Sequence, residues 1–152
     1  MRVSALMNRE VVTIGESDSC YEAVASMQRI KARHLPVVAG DGTLQGIVTD
    51  RDLRHHLFAP HVFGDIGQTS VQALLKMTPV KQVMSAPVVC VSPESDVGEA
   101  AGLMREHRIG SAPVVEAGRL VGILTETDLL RHIVREDERA CPEMRDIVVS
   151  YP

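Results

Sequence analysis

Aromatic side chains are scarce in this sequence. Tyr21, Phe58, Phe63 and Tyr151 are the only four, and tryptophan is absent. Basic charge is short as well, with 16 Lys and Arg against 20 Asp and Glu, for a net charge of −4. Nucleic-acid recognition wants a basic face and stacking rings, so both shortages argue against it. No apolar run approaches the roughly 18 residues of a membrane span, which argues against a membrane role. The N-terminal stretch Met1–Asn8 has no apolar core of a secretory signal. The three cysteines, Cys20, Cys90 and Cys141, are far apart and form no C-x-x-C pair. They suit a reducing cytoplasm better than a disulfide framework, and Cys20 and Cys90 read as small buried apolar residues. The histidines fall into no metal-binding spacing: His55 and His56 are adjacent, and no H-E-x-x-H accompanies them. G-x-S-x-G, G-x-G-x-x-G and the phosphate-binding G-x-x-x-x-G-K-[ST] are missing too. No metal site and no catalytic residues are therefore expected.

What is present is a repeat. The 152 residues, 45% of them hydrophobic, suffice for one domain or two small ones sharing a core. Residues 3–38 shifted by 77 fall on 80–115, and residues 42–56 shifted by 76 fall on 118–132. Eighteen of these 51 positions are identical, among them Met7/Met84, Glu22/Glu99, Met27/Met104, Gly46-Ile47/Gly122-Ile123, Thr49/Thr125 and Asp52-Leu53/Asp128-Leu129. Two copies are too few for an open solenoid, whose ends need caps. A closed pair about a pseudo-twofold axis is the alternative.

Each copy carries the same signals. An extended piece (Val11–Ile14, Val88–Val91) precedes a helix start, with Ser19/Glu22 and Asp96/Glu99 at capping-box spacing. An apolar stripe follows, with Ala23, Val24, Met27 and Ile30 in the first copy. Two β-rich runs joined by a glycine-containing turn then read as a hairpin, 35–38 with 44–49 and 112–115 with 120–125. A second helix begins at Asp50 or Glu126, longer in the second copy. The unit is β-α-β-β-α, twice, an α+β fold. The first copy is placed at 1–57 and the second at 80–136. An insert, 58–79, holds turn signals and a short helix over Ser70–Met77, and a tail runs over 137–152.

His34-Leu35-Pro36-Val37-Val38 with Gly46-Ile47-Val48-Thr49-Asp50-Arg51-Asp52 resembles the paired signatures of cystathionine β-synthase (CBS) domains. So does Gly110-Ser111-Ala112-Pro113-Val114-Val115 with Gly122-Ile123-Leu124-Thr125-Glu126-Thr127-Asp128. Order, spacing and duplication together identify the chain as similar to a tandem CBS pair, or Bateman module, of the stand-alone kind. The resemblance implies a non-catalytic regulatory module. Such modules bind AMP, ADP, ATP or S-adenosylmethionine in the clefts between the copies, as a regulatory ligand rather than a required cofactor. They report binding to an effector protein, and a helix-mediated homodimer is expected. The alternative is a structural interaction or dimerisation module without ligand.

The residues suggest how a ligand would be held. Thr49 and Thr125 stand where a helix leaves a strand and its first N–H groups are unpaired, a site for an anion. Asp52 and Asp128, one turn on, can accept from both hydroxyls of a ribose. Ile47 and Ile123 offer a wall for adenine. By the family's pattern Arg33 and His34, and Gly110 and Ser111, also line the clefts. Phosphate affinity is expected to depend on Arg33 or His34, with Arg51 a further candidate, so the two clefts are expected to differ. Thr-x-x-Asp is also capping-box spacing, and a cap and a ligand contact can coexist.

Overall fold

The Ser19/Glu22 box closes in the structure: Glu22 N–H donates to Ser19 Oγ at 3.2 Å and Ser19 N–H to the Glu22 carboxylate at 2.9 Å. It starts α1 (Cys20–Ile30), which buries Cys20, Ala23 and Met27 and ends at Lys31 in the left-handed conformation. The strands β1 (His34–Val38) and β2 (Leu44–Thr49) form an antiparallel hairpin, and α2 (Asp50–Leu57) follows with no intervening loop. Helix α3 (Val71–Met77) comes next and turns Leu75 onto the first core. The second copy repeats the order with α4 (Val97–His107), β3 (Ser111–Glu116), β4 (Arg119–Thr125) and α5 (Glu126–Ala140). Here Asp96 accepts from Gly98 N–H at 2.8 Å, so the cap closes two residues on, without the reciprocal bond expected from Glu99. The computed structural model describes residues 1–57 and 71–140, with side chains as far as 136. The turn signals at 59–67 and the tail beyond residue 140 lie outside the described residues.

The fold is α+β, with two repeats that each hold a small antiparallel sheet and flanking helices. The first extended piece of each copy joins its sheet at one residue. Ile14 N–H donates to Pro36 O and Val38 N–H to Ile14 O, with Val91 making the equivalent pair. Alternation at that bridge turns Ile14 and Val91 inward and their neighbours outward. Cys90 is accordingly exposed, contrary to the burial expected of it. Cys20 is buried, and burial pushes its thiol up to about 11.

The copies exchange their arms. Val3 and Met7 pack in the core of the second copy with Val91, Met104 and Leu124. Val80 packs in the core of the first with Ile14, Met27 and Leu35, and Met84 covers it. The backbone is tied the same way. Asn8 pairs with Ile123 of β4 through two 2.9 Å hydrogen bonds, and Ser85 pairs with Ile47 of β2 at 2.8 and 3.1 Å. This reciprocity is the pseudo-twofold relation, and it explains a repeated pair of residues. A Cβ on Gly122 would stand 2.7 Å from Met7 Sδ and 3.0 Å from Asn8 O. On Gly46 it would stand 2.7 Å from Met84 Sδ and 3.2 Å from Ser85 O. Each glycine leaves room for the methionine that arrives from the other copy.

Candidate functional site

Exchange of the arms creates two cavities between the copies. The first, about 290 Å³, lies over the end of β2 and the start of α2. Its wall takes Ile47, Thr49, Arg51 and Asp52 from the first copy and Arg108, Gly110 and Ser111 from the second. The second, about 540 Å³, lies over the end of β4 with Ile123, Thr125 and Asp128, and takes Lys31, Arg33 and His34 from the first copy. All eleven residues singled out by sequence stand in one cavity or the other, and His34 and Gly110 stand in both. The pairing is crosswise: Arg33 faces the Asp128 cavity, and Gly110 with Ser111 faces the Asp52 cavity.

The Thr-x-x-Asp pairs are capping boxes. Thr49 N–H and hydroxyl both donate to Asp52 Oδ2, at 2.9 and 2.7 Å, and Asp52 N–H donates to Thr49 Oγ1 at 3.1 Å. Thr125 and Asp128 repeat this at 3.0, 2.6 and 3.3 Å. The threonine hydroxyl proton is thereby used on its own carboxylate, so the hydroxyl can offer a ligand only a lone pair. The box leaves Asp52 Oδ1 outside it, while Asp128 Oδ1 lies 3.6 Å from Arg131 Nη1. The first amide of each helix is also engaged: Asp50 N–H donates to Arg33 O and Glu126 N–H to Gly110 O, both at 3.0 Å. The helix starts are thus less open to an anion than the strand-to-helix junction alone suggests, with the Arg51 and Thr127 amides remaining.

Ser111 stands apart from this economy. It is 3% exposed, lines the first cavity, and its Oγ has no hydrogen-bond partner among the described residues. A buried hydroxyl left unpaired costs about 1–3 kcal/mol, and this one stands in a cavity wall.

Charge is distributed differently around the two. The first cavity sets Arg51 and Arg108 against Asp50 and Asp52, and Asp50 is further tied to Arg54 at 2.9 Å. The second sets Lys31, Arg33 and Arg131 against Glu10, Glu126 and Asp128. Arg108, Lys31 and Arg131 were missed in the sequence. A signal for two of them was available, because Lys31 and Arg108 are equivalent basic residues and each ends a helix in the left-handed conformation. His34 is half-buried between the cavities, and burial holds its imidazole below the ordinary histidine value against the opposing pull of Asp50 and Glu126. Among the described residues no three His, Cys, Asp or Glu gather as metal ligands. No helix among them is long and apolar enough to cross a membrane.

Comparison with known proteins gives these cavities a context. A family model for the CBS domain matches residues 3–59 and again 80–135. A CBS domain-containing protein of Dictyostelium discoideum is 34% identical over 93% of this chain and 97% of its own length. Two other relatives are longer: the chain spans 44% of an uncharacterised Thermofilum pendens protein and 32% of one from Methanocaldococcus jannaschii. Among solved structures, CBSX2 in complex with AMP superposes with a TM-score of 0.71 at 26% identity, covering 90% of this chain and 98% of that one. The CBS domain pair of protein MJ0100, in complex with 5′-methylthioadenosine and S-adenosyl-L-methionine, shares the fold. Its TM-score is 0.75 at 23% identity, over 90% of this chain and 98% of that one.

Proposed function

The chain belongs to the CBS domain family, as a tandem pair, and from that premise we propose that it is a regulatory module that binds an adenosine-containing ligand between its repeats. AMP, ADP, ATP and S-adenosylmethionine are the candidates, and no catalytic step is assigned. The observation that carries the reading is the first cavity's pairing of an unpartnered, buried Ser111 Oγ with an Asp52 carboxylate whose Oδ1 lies outside its capping box. A ribose needs an acceptor for its hydroxyls, and a purine edge needs a donor or acceptor at its rim. Ile47 and Ile123 supply apolar walls. The larger cavity lies within the usual range of about 300–1,000 Å³ for small-molecule sites, and the smaller sits at its lower edge.

The output is signalling to a partner protein in the cytoplasm. The ligand spans both copies, so it stabilises one relative arrangement of their helices in proportion to its differential affinity for the two states. The module pairs into a homodimer through helix faces. Leu130, Ile133 and Val134 of α5, exposed by 63, 56 and 56%, form an i, i+3, i+4 stripe with no covering element among the described residues. Light scattering behind size exclusion reads this directly: twice 16.6 kDa is expected, and a monomer sinks the dimer.

The second reading, a structural module without ligand, is favoured by one observation: both Thr-x-x-Asp pairs are satisfied as helix caps. Titration calorimetry with AMP, ATP and S-adenosylmethionine separates the two. Saturable heat lost on Asp52→Ala or Asp128→Ala supports the sensor. Silence from folded, nucleotide-free protein leaves the structural module.

A further inference from the structure

His34 and Gly110 are the two residues common to both cavity walls. They touch. A Cβ built on Gly110 would lie 3.3 Å from His34 Nε2 and 3.5 Å from Glu126 Oε2. The missing side chain is what lets an imidazole of the first copy reach the wall it shares with the second. The groups around the ring come from both copies: Asp50 and Asp52 from α2, Glu126 from α5, and the guanidinium of its neighbour Arg33. On each wall the formal positive and negative charges otherwise cancel, Arg51 and Arg108 against two carboxylates in the first cavity, three against three in the second. A titratable ring between two charge-balanced walls tips the net charge that both present to an anion.

We propose that His34 couples the two clefts: a phosphate-bearing ligand entering either one draws a proton from solvent onto the imidazole, and the imidazolium then favours an anion in the other. The inference rests on the ligand reading above and adds the charge class and the link between sites. No covalent bond is made or broken; the ring gains a proton at its free nitrogen and a positive charge. Burial disfavours the charged imidazole before an anion arrives. A nearby negative charge then stabilises its charged form, and by linkage the effect is reciprocal: protonation tightens the anion to the same degree.

The test is AMP binding near neutral pH, measured calorimetrically in two buffers of different ionisation enthalpy, with adenosine as the uncharged counterpart. Wild type takes up a fraction of one proton per AMP beyond that seen with adenosine. Asp52→Ala and Asp128→Ala, each of which keeps one cleft, both still show uptake, because His34 faces both. His34→Gln loses it. The phosphate's own titration, near pH 6, is common to wild type and variant, so their difference reads His34 alone. Ring shifts of His34 followed by NMR through the same AMP titration report the protonation without any substitution. Equal uptake in His34→Gln, uptake confined to one single-cleft variant, or His34 shifts that stay neutral with AMP bound overturns the coupling while leaving the ligand reading intact. Absence of AMP binding in wild type overturns the coupling as a consequence of losing that reading.

Discussion

The Asp52 cavity and the Asp128 cavity are assembled from equivalent pieces and end up chemically unlike. Each has an isoleucine on the outgoing strand, a Thr-x-x-Asp box at the helix start and a loop borrowed from the other copy. The positions that coincide, Gly46/Gly122, Thr49/Thr125 and Asp52/Asp128, have structural duties: room for a methionine, or a helix cap. The positions that differ, Arg33/Gly110, His34/Ser111 and Arg51/Thr127, line the cavities, and among them Gly110 leaves room for His34. A duplicated scaffold is thus held alike by packing and caps, while cavity-lining positions diverge in charge. The first cavity joins Arg108 and Arg51 to a buried serine hydroxyl. The second has Arg33 and Lys31, and an Asp128 already approached by Arg131.

The sharpest way to break this comparison is to remove one carboxylate at a time. Asp52→Ala is expected to weaken binding in the first cavity and Asp128→Ala in the second, each by about 10–100-fold, since hydrogen bonds to a charged group contribute about 1.5–3 kcal/mol. Calorimetric stoichiometry and affinity measure it. Each substitution also removes a cap, at about 1 kcal/mol of stability, so denaturation must accompany the binding curve.

Stability should follow the exchanged arms. Gly46→Ala and Gly122→Ala each push a Cβ into methionine sulfur and arm backbone, an overpacking worth about 1–3 kcal/mol. Gly122→Ala is expected to cost more, because Asn8 O stands closer than Ser85 O. Urea midpoints at constant slope would show the order, and a reversed order would mean that the arms are not equally rigid.

A smaller effect sharpens the crosswise wiring. Arg33→Ala is expected to weaken a phosphate ligand in the Asp128 cavity and Arg108→Ala in the Asp52 cavity, each by several-fold to about tenfold, as expected of a partly exposed charge-assisted contact. Combining Arg33→Ala with Asp52→Ala should therefore hit different sites and leave neither intact. If Arg33→Ala adds nothing to Asp128→Ala but also nothing on its own, Arg33 is solvated rather than ligand-facing.

The smallest effect is on stability against pH. His34 is held below its ordinary 6.5 in the fold, so between that lowered value and 6.5 the unfolded chain binds more protons. Stability should therefore fall as pH drops below about 6.5 and level off below the folded value, and His34→Gln should flatten that part of the profile. Thermal melts across this window read it, and an unchanged slope in His34→Gln would show that burial does not disfavour the charged form of the ring.

Much of this was legible in the residues. The two-copy repeat, the hairpins, the Ser19/Glu22 cap and the Thr-x-x-Asp pairs are local patterns with local causes, and short-range spacing reports them faithfully. The family resemblance drawn from those motifs agrees with the family-model match. Burial of Cys90 was misjudged because composition favours a buried cysteine while strand alternation at Val91 turns position 90 outward. Arg108 and Lys31 were passed over because they end helices, where a basic residue reads as a solvated complement to the helix dipole.

By itself the sequence determined the elements, the duplication and the chemistry available at each strand-to-helix junction, because propensity, capping and turn formation depend on residues within a few positions of one another. Only the tertiary structure decided which junction meets which loop. The arms at Val3–Asn8 and Val80–Ser85 cross to the opposite core. That crossing puts Arg33 with Asp128, Ser111 with Asp52 and His34 between them. The physical reason is that apolar burial is non-directional: Met7 would fill a groove beside Gly46 as well as one beside Gly122, and only the closed pair settles which of the two it takes.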